Sequence, residues 1–278
     1  MIPQSGVMST AACAATSSGK IPIYVVSLPG TDARRAGMAA QLAALGLEFD
    51  FVDAIRGSAL SAADRAGKLA PAENIRANIG GRDMTDGEIG CALSHQMAYD
   101  RILASGQERA FVLEDDARLL PGFLQALQAT HEIADLDVLI FGYPKLADEE
   151  VRLAWLYDPV MVVGRLSSGH VYGLRPRQGH MGMVGYLVSR GGCEKLKRNF
   201  PLQTVADDHP FFVNHGARVW HLRPFAVMED TGHVSTIRGD FRQNRHGLSV
   251  RKHLSRLLRG LWRHVQVMIM AMTARSST

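Results

Sequence analysis

The chain has 278 residues, of which 46% are hydrophobic and 21% are charged, a composition that indicates a folded globular protein and excludes a disordered one. Its formal net charge of +4 is too small to indicate a nucleic-acid partner, and we expect none. The three cysteines, Cys13, Cys91 and Cys193, lack CxxC spacing, which argues against a disulfide framework or a zinc site and favours a reducing compartment.

The two ends of the chain show no targeting or membrane-spanning segment. Residues 1–20 are small and polar, without the basic start and apolar centre of a secretory signal, so we interpret them as a disordered leader. The longest late apolar run, Val265–Met272, is too short to span a bilayer. These features predict a cytoplasmic protein.

The first elements predict an α/β fold. Ile21–Leu28 is a β-branched run that ends at the turn signal Pro29-Gly30. Asp32–Leu45 has a helical pattern that stops at Gly46, and Glu48–Ile55 follows as a second strand. Strand, helix and strand at this spacing indicate a parallel crossover unit.

The central segment is predicted to hold one long helix and one buried strand. Residues 56–84 are rich in Ala, Gly and Arg, and we expect irregular structure there. Thr85-Asp-Gly-Glu88 is a capping box, and the apolar stripe behind it continues a helix towards Leu103. Ala110–Leu113 then forms a strand, and Pro121-Gly122 a turn.

Short strands and helices are predicted for the remainder of the domain. The strands are Asp137–Tyr143, Val160–Val163, Val184–Val188 and Val219–Leu222, and the helices are Gly191–Phe200 and Pro210–Val213. Residues 144–180 otherwise read as loops. We therefore expect one domain over residues 21–240 with a mostly parallel central sheet, followed by a basic tail over residues 241–278.

Three adjacent acids, Glu114, Asp115 and Asp116, directly follow the Ala110–Leu113 strand. In an open α/β sheet, ligands bind beyond the carboxyl ends of the strands. Adjacent carboxylates repel each other, and a hard divalent cation that bridges to phosphate oxygens relieves this repulsion. The triplet alone leaves two interpretations open, a metal site or a solvated acidic turn.

Several segments carry more information through their order than any of them does alone. They are Val26-Ser-Leu28, Asp32-Ala-Arg-Arg35, Gly46-Leu-Glu-Phe-Asp-Phe-Val-Asp53-Ala, Gly87-Glu-Ile-Gly-Cys-Ala-Leu-Ser-His95, Val112-Leu-Glu-Asp-Asp116, Tyr186-Leu-Val-Ser-Arg-Gly-Gly192 and Asp208-His-Pro-Phe-Phe212. In this order the sequence resembles glycosyltransferase family 25, the lipooligosaccharide-biosynthesis family that also contains collagen galactosyltransferase domains. The resemblance covers about residues 21–240.

The resemblance implies a GT-A-like, Rossmann-type domain that binds a nucleotide sugar. It implies an inverting enzyme that transfers a hexose, expected to be galactose, from a UDP-sugar to a lipooligosaccharide or another lipid-linked or cell-surface glycan. The acids would hold Mn²⁺ or Mg²⁺ against the donor diphosphate, with Asp116 and Asp115 as ligands and Glu114 in support. A bound cation stabilises the charge that develops on the departing nucleotide.

The resemblance also implies contacts to the nucleotide sugar, most of them at strand ends. An arginine that opens the first helix reaches phosphate, although one of two adjacent arginines is usually solvated. An aspartate at the end of the second strand accepts from ribose or uracil, with a turn-forming aspartate as the alternative. The candidates are Ser27, Leu28, Arg34, Arg35, Asp53, Ser94, Glu114 and Asp115.

Three residues are candidates for catalysis, and one more is a candidate metal ligand. Asp208 stands before Phe211-Phe212 at the family's spacing, which makes it the candidate general base for an acceptor hydroxyl. Asp207 is expected to cap the helix instead, and the exchange of these two roles stays open. His95 belongs to the family's Ser-His motif, with a structural histidine as the alternative. His233 is a candidate metal ligand, with a polar loop residue as the alternative.

Two other functions are compatible with acids at a strand end. A Mg²⁺-dependent nucleotidyltransferase or phosphohydrolase would normally show a glycine-rich phosphate loop or an early aspartate nucleophile, and neither is apparent. A non-catalytic nucleotide- or glycan-binding relative is the third hypothesis, against which the intact Glu114-Asp115-Asp116 argues.

The tail is predicted to be a basic amphipathic helix. From Val250 the apolar residues recur at helical spacing, and the basic residues lie largely on the other side. Such a helix binds an anionic membrane surface, with Trp262 near the headgroups, and would hold the enzyme at the inner face of the cytoplasmic membrane. The alternative is a helix docked on its own domain or on a second subunit, and Gly260 weakens an isolated helix.

Overall fold

Helices and strands alternate through most of the described chain. The structure is a computed structural model that describes residues 20–143, 154–176, 182–230 and 250–275. The helices are α1 (Asp32–Ala44), α2 (Ala62–Lys68), α3 (Ala72–Asn78), α4 (Asp86–Ser105), α5 (Phe123–Ala129), α6 (Ala154–Tyr157), α7 (Arg190–Leu196), α8 (His209–Asn214) and α9 (Val250–Arg275). The strands are β1 (Ile23–Ser27), β2 (Asp50–Asp53), β3 (Arg109–Glu114), β4 (Ala117–Leu119), β5 (Val138–Ile140), β6 (Gly142–Tyr143), β7 (Met161–Arg165), β8 (Val171–Leu174), β9 (Gly185–Ser189), β10 (Val219–Arg223) and β11 (Val227–Glu229). The predicted leader falls, apart from its last residue, outside the described residues.

Eight strands form the central sheet, in the order β2-β1-β3-β9-β5-β10-β8-β7. Strand β1 pairs in parallel with β2 and with β3, and β5 pairs in parallel with β10. Strand β9 lies antiparallel between β3 and β5, and the β7–β8 hairpin joins β10 in antiparallel orientation. Six of the eight strands therefore point the same way, which confirms the predicted α/β fold with a mostly parallel central sheet.

The sheet is covered on both faces, because successive side chains of a strand point to opposite sides. Ile23 and Val25 of β1 belong to one apolar layer, which α1 and α5 complete. Tyr24 and Val26 belong to the other layer, which α4, α7 and α8 complete. The strand ends are therefore held between two packed layers.

Several predicted elements are confirmed with small shifts at their ends. The predicted crossover is present as β1, α1 and β2, and the predicted strand Ala110–Leu113 is β3. The capping box of α4 is formed, since Thr85 accepts from the Glu88 N–H and the Glu88 carboxylate accepts from the Thr85 N–H at 2.9 Å. Strands β9 and β10 and helices α7 and α8 also lie where the sequence places them.

Residues 56–84 are not irregular, contrary to the prediction. They contain α2 and α3, which have seven residues each. Ser61 caps α2 by accepting from the Asp64 N–H. Ile75 is the one buried residue of the two helices, so neither of them shows the apolar period by which longer helices are recognised.

Asp137–Tyr143 is not one strand but two, β5 and β6, which belong to different sheets. Strand β11 pairs with β4 and with β6 to form a second sheet of three strands. Between β5 and β6, Phe141 is fully buried and packs edge-to-face against Phe111 and Phe123. The chain changes sheet at this aromatic contact.

The predicted carboxyl-terminal helix is present as α9, and it docks on its own domain. A Cβ at Gly260 would lie 2.2 Å from the Leu156 carbonyl oxygen, so only glycine permits this close approach to α6. Arg263 donates to the Tyr157 carbonyl oxygen at 2.7 Å. Among the described residues, no helix combines the length and apolarity that a bilayer span requires.

Candidate active site

Three strand ends meet at one edge of the central sheet. In the parallel register of β1, Ser27 pairs with Asp53 of β2, and Val26 pairs with Glu114 of β3. The segments that follow these strands therefore emerge side by side at the edge where open α/β sheets bind ligands. This register brings the acidic triplet next to the start of α1.

Asp115 is the centre of a hydrogen-bond network at this edge. Its Oδ2 accepts from Ser27 Oγ at 2.8 Å and from Thr31 Oγ1 at 3.2 Å. Its Oδ1 accepts from Arg34 Nη1 at 2.7 Å. Both carboxylate oxygens of Asp115 are engaged, so this side chain fixes the β1–α1 turn and Arg34 against β3. Thr31, which our sequence analysis did not select, is part of this network.

Asp116 differs from Asp115 because one of its oxygens has no donor. Arg34 Nη2 donates to Asp116 Oδ2 at 3.1 Å, so the guanidinium bridges the two aspartates. Among the described residues nothing hydrogen-bonds to Asp116 Oδ1, which is buried. Burial raises the pKa of the Asp116 carboxyl to about 7, and the charge of Glu114 adds to this rise against the opposing effect of Arg34. An unpartnered buried carboxylate oxygen fits a bound divalent cation.

Glu229 belongs to the same acidic group, although our sequence analysis did not select it. Strand β11 places it next to β4, and its charge also raises the pKa of Asp116. The N–H of Asp230 donates to the main-chain oxygen of Asp116 at 2.7 Å. The sequence signal that could have identified Glu229 is its position as an acid directly after the apolar run Phe225–Met228. The predicted ligand His233 lies outside the described residues.

The acids line a cleft of about 230 Å³, part of which is open to solvent. Its walls come from the end of β1, the start of α1, the loop after β2 and the first turns of α4. Of the predicted site residues, the cleft is lined by Ser27, Leu28, Arg34, Ser94, His95, Glu114, Asp115 and Asp116.

A close backbone contact forms the wall between the loop after β2 and α4. A Cβ at Gly57 would lie 1.9 Å from the Asp86 carbonyl oxygen, and one at Gly90 would lie 2.5 Å from that of Ile55. Ser94 Oγ accepts from the Ile55 N–H at 2.8 Å and donates to the Gly90 carbonyl oxygen at 2.6 Å. Ser94 therefore lines the cleft with a hydroxyl that already holds its wall together.

His95 lies between the acidic triplet and two buried tyrosines. Its Nε2 is 3.3 Å from Glu114 Oε1, and its Nδ1 is 2.8 Å from the Tyr186 hydroxyl. The Tyr186 hydroxyl donates in turn to that of Tyr99 at 3.1 Å. Burial raises the pKa of Tyr186 well above its usual range, so this phenol stays protonated. His95 is therefore held in one orientation and touches the acidic group through Glu114.

Asp208, and not Asp207, caps α8. Asp208 Oδ1 accepts from the Phe211 N–H at 3.1 Å, and its Oδ2 accepts from the Thr204 hydroxyl. The expectation that Asp207 is the cap is therefore wrong, because α8 begins at His209 and its capping position is the residue immediately before. The Asp208 side chain is buried and both of its oxygens are engaged.

Asp207 is half-buried and lies beside the cleft. It accepts from the Gly182 N–H at 2.9 Å. Burial raises the pKa of the Cys91 thiol, a group that lines the cleft, and the charges of Glu114 and Asp207 contribute to this rise. Neither Asp207 nor Asp208 is among the described residues that line the cleft.

Arg35 and Asp53 pair with each other outside the cleft. Arg35 Nη2 donates to Asp53 Oδ1 at 2.5 Å and to the Ser27 carbonyl oxygen at 3.0 Å. Its guanidinium also lies 4.7 Å from the centre of the Phe51 ring. Of the two adjacent arginines, Arg34 therefore reaches the acids, while Arg35 joins β1 to β2.

The sheet topology and its strand-end site define an α/β protein whose acidic cleft lies beyond the carboxyl ends of parallel strands. The chain belongs to glycosyltransferase family 25. The family profile described as "Glycosyltransferase family 25 (LPS biosynthesis protein)" matches residues 20–210, which include the whole lining of the cleft.

Curated relatives support this assignment. The chain is 30% identical over 209 residues to a "Glycosyltransferase 25 family member" of Aedes aegypti, covering 71% of this chain and 32% of that one. It is 31% identical over 189 residues to "Procollagen galactosyltransferase 1-B" of Xenopus laevis, covering 65% of this chain and 28% of that one. It is also 31% identical over 184 residues to the human "Inactive glycosyltransferase 25 family member 3", covering 66% of this chain and 29% of that one. The chain thus spans about a third of the length of the relatives it matches.

Asp116→Asn is expected to stabilise the chain when divalent cations are removed. Folding raises the Asp116 pKa from its ordinary value of 3.8 to about 7, so the folded chain holds this proton more tightly than the unfolded chain does. Wild-type stability therefore falls as the pH rises from about 4 to 7. The asparagine side chain does not titrate. The free energy of unfolding of the Asp116→Asn variant in EDTA should therefore exceed that of wild type by about 1–3 kcal/mol at pH 8.

Urea unfolding at pH 5 and pH 8 measures this difference, which should be smaller at pH 5. Asp32→Asn is the matched control, because it removes an exposed acid at the start of α1. Its effect should be small at both pH values. An Asp116→Asn variant that is less stable than wild type at pH 8 would contradict the burial argument.

Proposed function

We propose that the chain is a metal-dependent inverting glycosyltransferase that transfers galactose from a UDP-sugar to a lipooligosaccharide or a related lipid-linked glycan. The observation that carries the proposal is the buried, unpartnered Oδ1 of Asp116 in the cleft at the strand ends. Membership of family 25 supports the transferase class, and the relative named procollagen galactosyltransferase supports galactose.

Asp116 would hold Mn²⁺ or Mg²⁺, and the neighbouring acids Glu114 and Glu229 would add to the negative charge around it. When bound, such a cation neutralises the charge that the departing diphosphate acquires. Asp115 has no oxygen without a donor, so its part is to position Arg34 and the turn that carries it. On the other side of Glu114, His95 Nε2 lies 3.3 Å from its Oε1.

Arg34 is the proposed contact to the diphosphate. Its side chain is only 12% exposed and already lies against Asp115 and Asp116, where the phosphates would meet the metal. It belongs to the first turn of α1, whose free N–H groups and dipole also favour an anion. Ser27 and Leu28 line the cleft at the same strand end.

The acceptor hydroxyl needs a base on the side opposite the departing nucleotide. The preference for Asp208 came from its spacing to Phe211-Phe212, and the structure makes Asp208 the helix cap. A buried carboxylate with both oxygens engaged is a poor proton acceptor. Asp207, which is half-buried and close enough to the cleft to affect Cys91, is therefore the better-placed base.

Asp207→Asn is expected to lower the rate of galactose transfer by about 100-fold or more, the scale for losing a general base, while UDP binding survives. Asp208→Asn should leave the transfer rate near that of wild type, because asparagine caps a helix about as well as aspartate does. The measurement is UDP release from UDP-galactose in Mn²⁺, with deacylated lipooligosaccharide as the acceptor.

The matched control is Asp32→Asn, which should transfer at the wild-type rate. A larger loss of turnover in a folded Asp208→Asn than in Asp207→Asn would return the base to Asp208. If no UDP-sugar is turned over while UDP still binds, the non-catalytic hypothesis replaces the transferase.

The same proposal includes an anionic membrane surface as the partner of α9. Residues 241–278 hold eight of the 31 basic side chains and none of the 27 acidic ones. The tail therefore has a formal charge of +8, and the rest of the chain has a charge of −4. A basic segment of this kind is attracted to anionic headgroups.

The docked arrangement of α9 leaves its apolar side uncovered. Gly260 and Arg263 face α6, and the side chains on the opposite side of the helix are between 44% and 64% exposed. Monomeric proteins rarely expose so large an apolar surface without a partner. These side chains are Leu258, Leu261, Trp262, Val265, Met268, Ile269 and Met272.

The full chain is expected to float with vesicles of phosphatidylcholine and phosphatidylglycerol at low salt, and not with phosphatidylcholine alone. High salt should release it, because electrostatic attraction is screened. The double variant Leu261→Gln, Val265→Gln should lose binding, because these two side chains lie on the exposed apolar side of α9.

The control is Val213→Gln, an exposed apolar position on α8, and it should bind as wild type does. Size-exclusion chromatography with light scattering is run on the same samples. A dimer that the double variant dissociates, with no vesicle binding by wild type, would show that a second copy covers this side of α9 and that the membrane proposal is wrong.

A further inference from the structure

Cys91, His95 and Glu114 present three metal-binding atoms to one point in the cleft. Cys91 Sγ is 3.9 Å from Glu114 Oε1, His95 Nε2 is 3.3 Å from the same oxygen, and the three atoms lie within 4.8 Å of one another. A tetrahedral zinc site with bonds of about 2.0–2.3 Å has ligand atoms separated by roughly 3.3–3.6 Å. The three side chains therefore need little movement to share one ion.

The helix supplies two of these ligands through their spacing. Cys91 and His95 are four residues apart on α4, so they lie on the same face of the helix, one turn apart. The third ligand, Glu114, comes from the end of β3, far away in sequence. The spacing of the cysteines could not show this site, because only one cysteine takes part.

The hydrogen bonds around His95 determine which ring nitrogen is available. Tyr186 donates its hydroxyl proton to Tyr99, so it accepts from the Nδ1–H of His95. In the neutral imidazole, the Nε2 lone pair then points at the Glu114 carboxylate from 3.3 Å. Two lone pairs that face each other repel, and a cation bound by both removes the conflict. Metal-bound histidines are typically held by such a hydrogen bond on the other nitrogen.

We infer that Cys91, His95 and Glu114 form a zinc site beside the Asp116 site. Thiolate and imidazole donors favour Zn²⁺, whereas Mg²⁺ and Mn²⁺ favour carboxylate oxygens, so the two neighbouring sites select different ions. Binding transfers the Cys91 thiol proton to solvent and forms a sulfur–zinc bond. Three protein ligands leave a fourth position for water or for an oxygen of a ligand in the cleft.

Cobalt binding tests the site without a nucleotide or an acceptor, so the outcome does not depend on the proposed transferase activity. A thiolate ligand gives Co²⁺ an intense charge-transfer absorption in the near ultraviolet. The 278-residue chain, reduced and stripped of metal, should develop this band with one equivalent of Co²⁺ and lose it on addition of Zn²⁺. Cys91→Ser should abolish the band, while Cys193→Ser, which removes a buried free cysteine elsewhere, should keep it.

Tyr186→Phe separates a metal site from a merely structural cluster. It keeps all three ligands and removes only the hydroxyl that accepts from His95, so cobalt affinity should fall by about 10-fold or more. Asp116→Asn should leave the band unchanged. Absence of the band in wild type, or its survival in Cys91→Ser, overturns the inference. If Cys91→Ser does not fold, the Glu114→Gln variant is tested instead. Zn²⁺ should raise its Tm less than it raises the Tm of wild type, and an equal rise in the two proteins also overturns the inference.

Discussion

The Arg34 guanidinium between Asp115 and Asp116 is the interaction on which the rest of the cleft depends. Three consecutive carboxylates at one strand end repel each other, and Arg34 bridges two of them at 2.7 and 3.1 Å. Because Arg34 belongs to α1, the same ion pairs also fix the β1–α1 turn against β3. Loss of Arg34 would leave two largely buried carboxylates without their cation, which is strongly destabilising.

The two aspartates differ in how far their oxygens are hydrogen-bonded. Ser27, Thr31 and Arg34 satisfy Asp115 completely, whereas Asp116 keeps one buried oxygen without a donor. Such an oxygen lowers the stability of the metal-free chain, and it is tolerated at sites where function requires it. In the proposed enzyme, the network around Asp115 makes the Asp116 oxygen available at a fixed place.

Elements with an apolar period and a marked end could be predicted from the sequence, as β1, α1 and the Thr85-capped α4 show. Helices α2 and α3 could not, because Ile75 is their one buried residue. The cap of α8 was misassigned between adjacent aspartates, since composition alone does not fix a helix start to one residue. The positions of Glu229 and of the Cys91–His95–Glu114 cluster depend on which strands and helices become neighbours. No local sequence pattern predicts that arrangement.

The most direct test of the metal and diphosphate site is calorimetric titration of the 278-residue chain with UDP, in Mn²⁺ and in EDTA. If Asp116 and Arg34 hold a metal and a diphosphate together, the two ligands must strengthen each other's binding. The account predicts that UDP binds at least about 10-fold more tightly in Mn²⁺ than in EDTA, and that Asp116→Asn abolishes the difference. Equal affinity of the wild-type chain for UDP in the two conditions would contradict it.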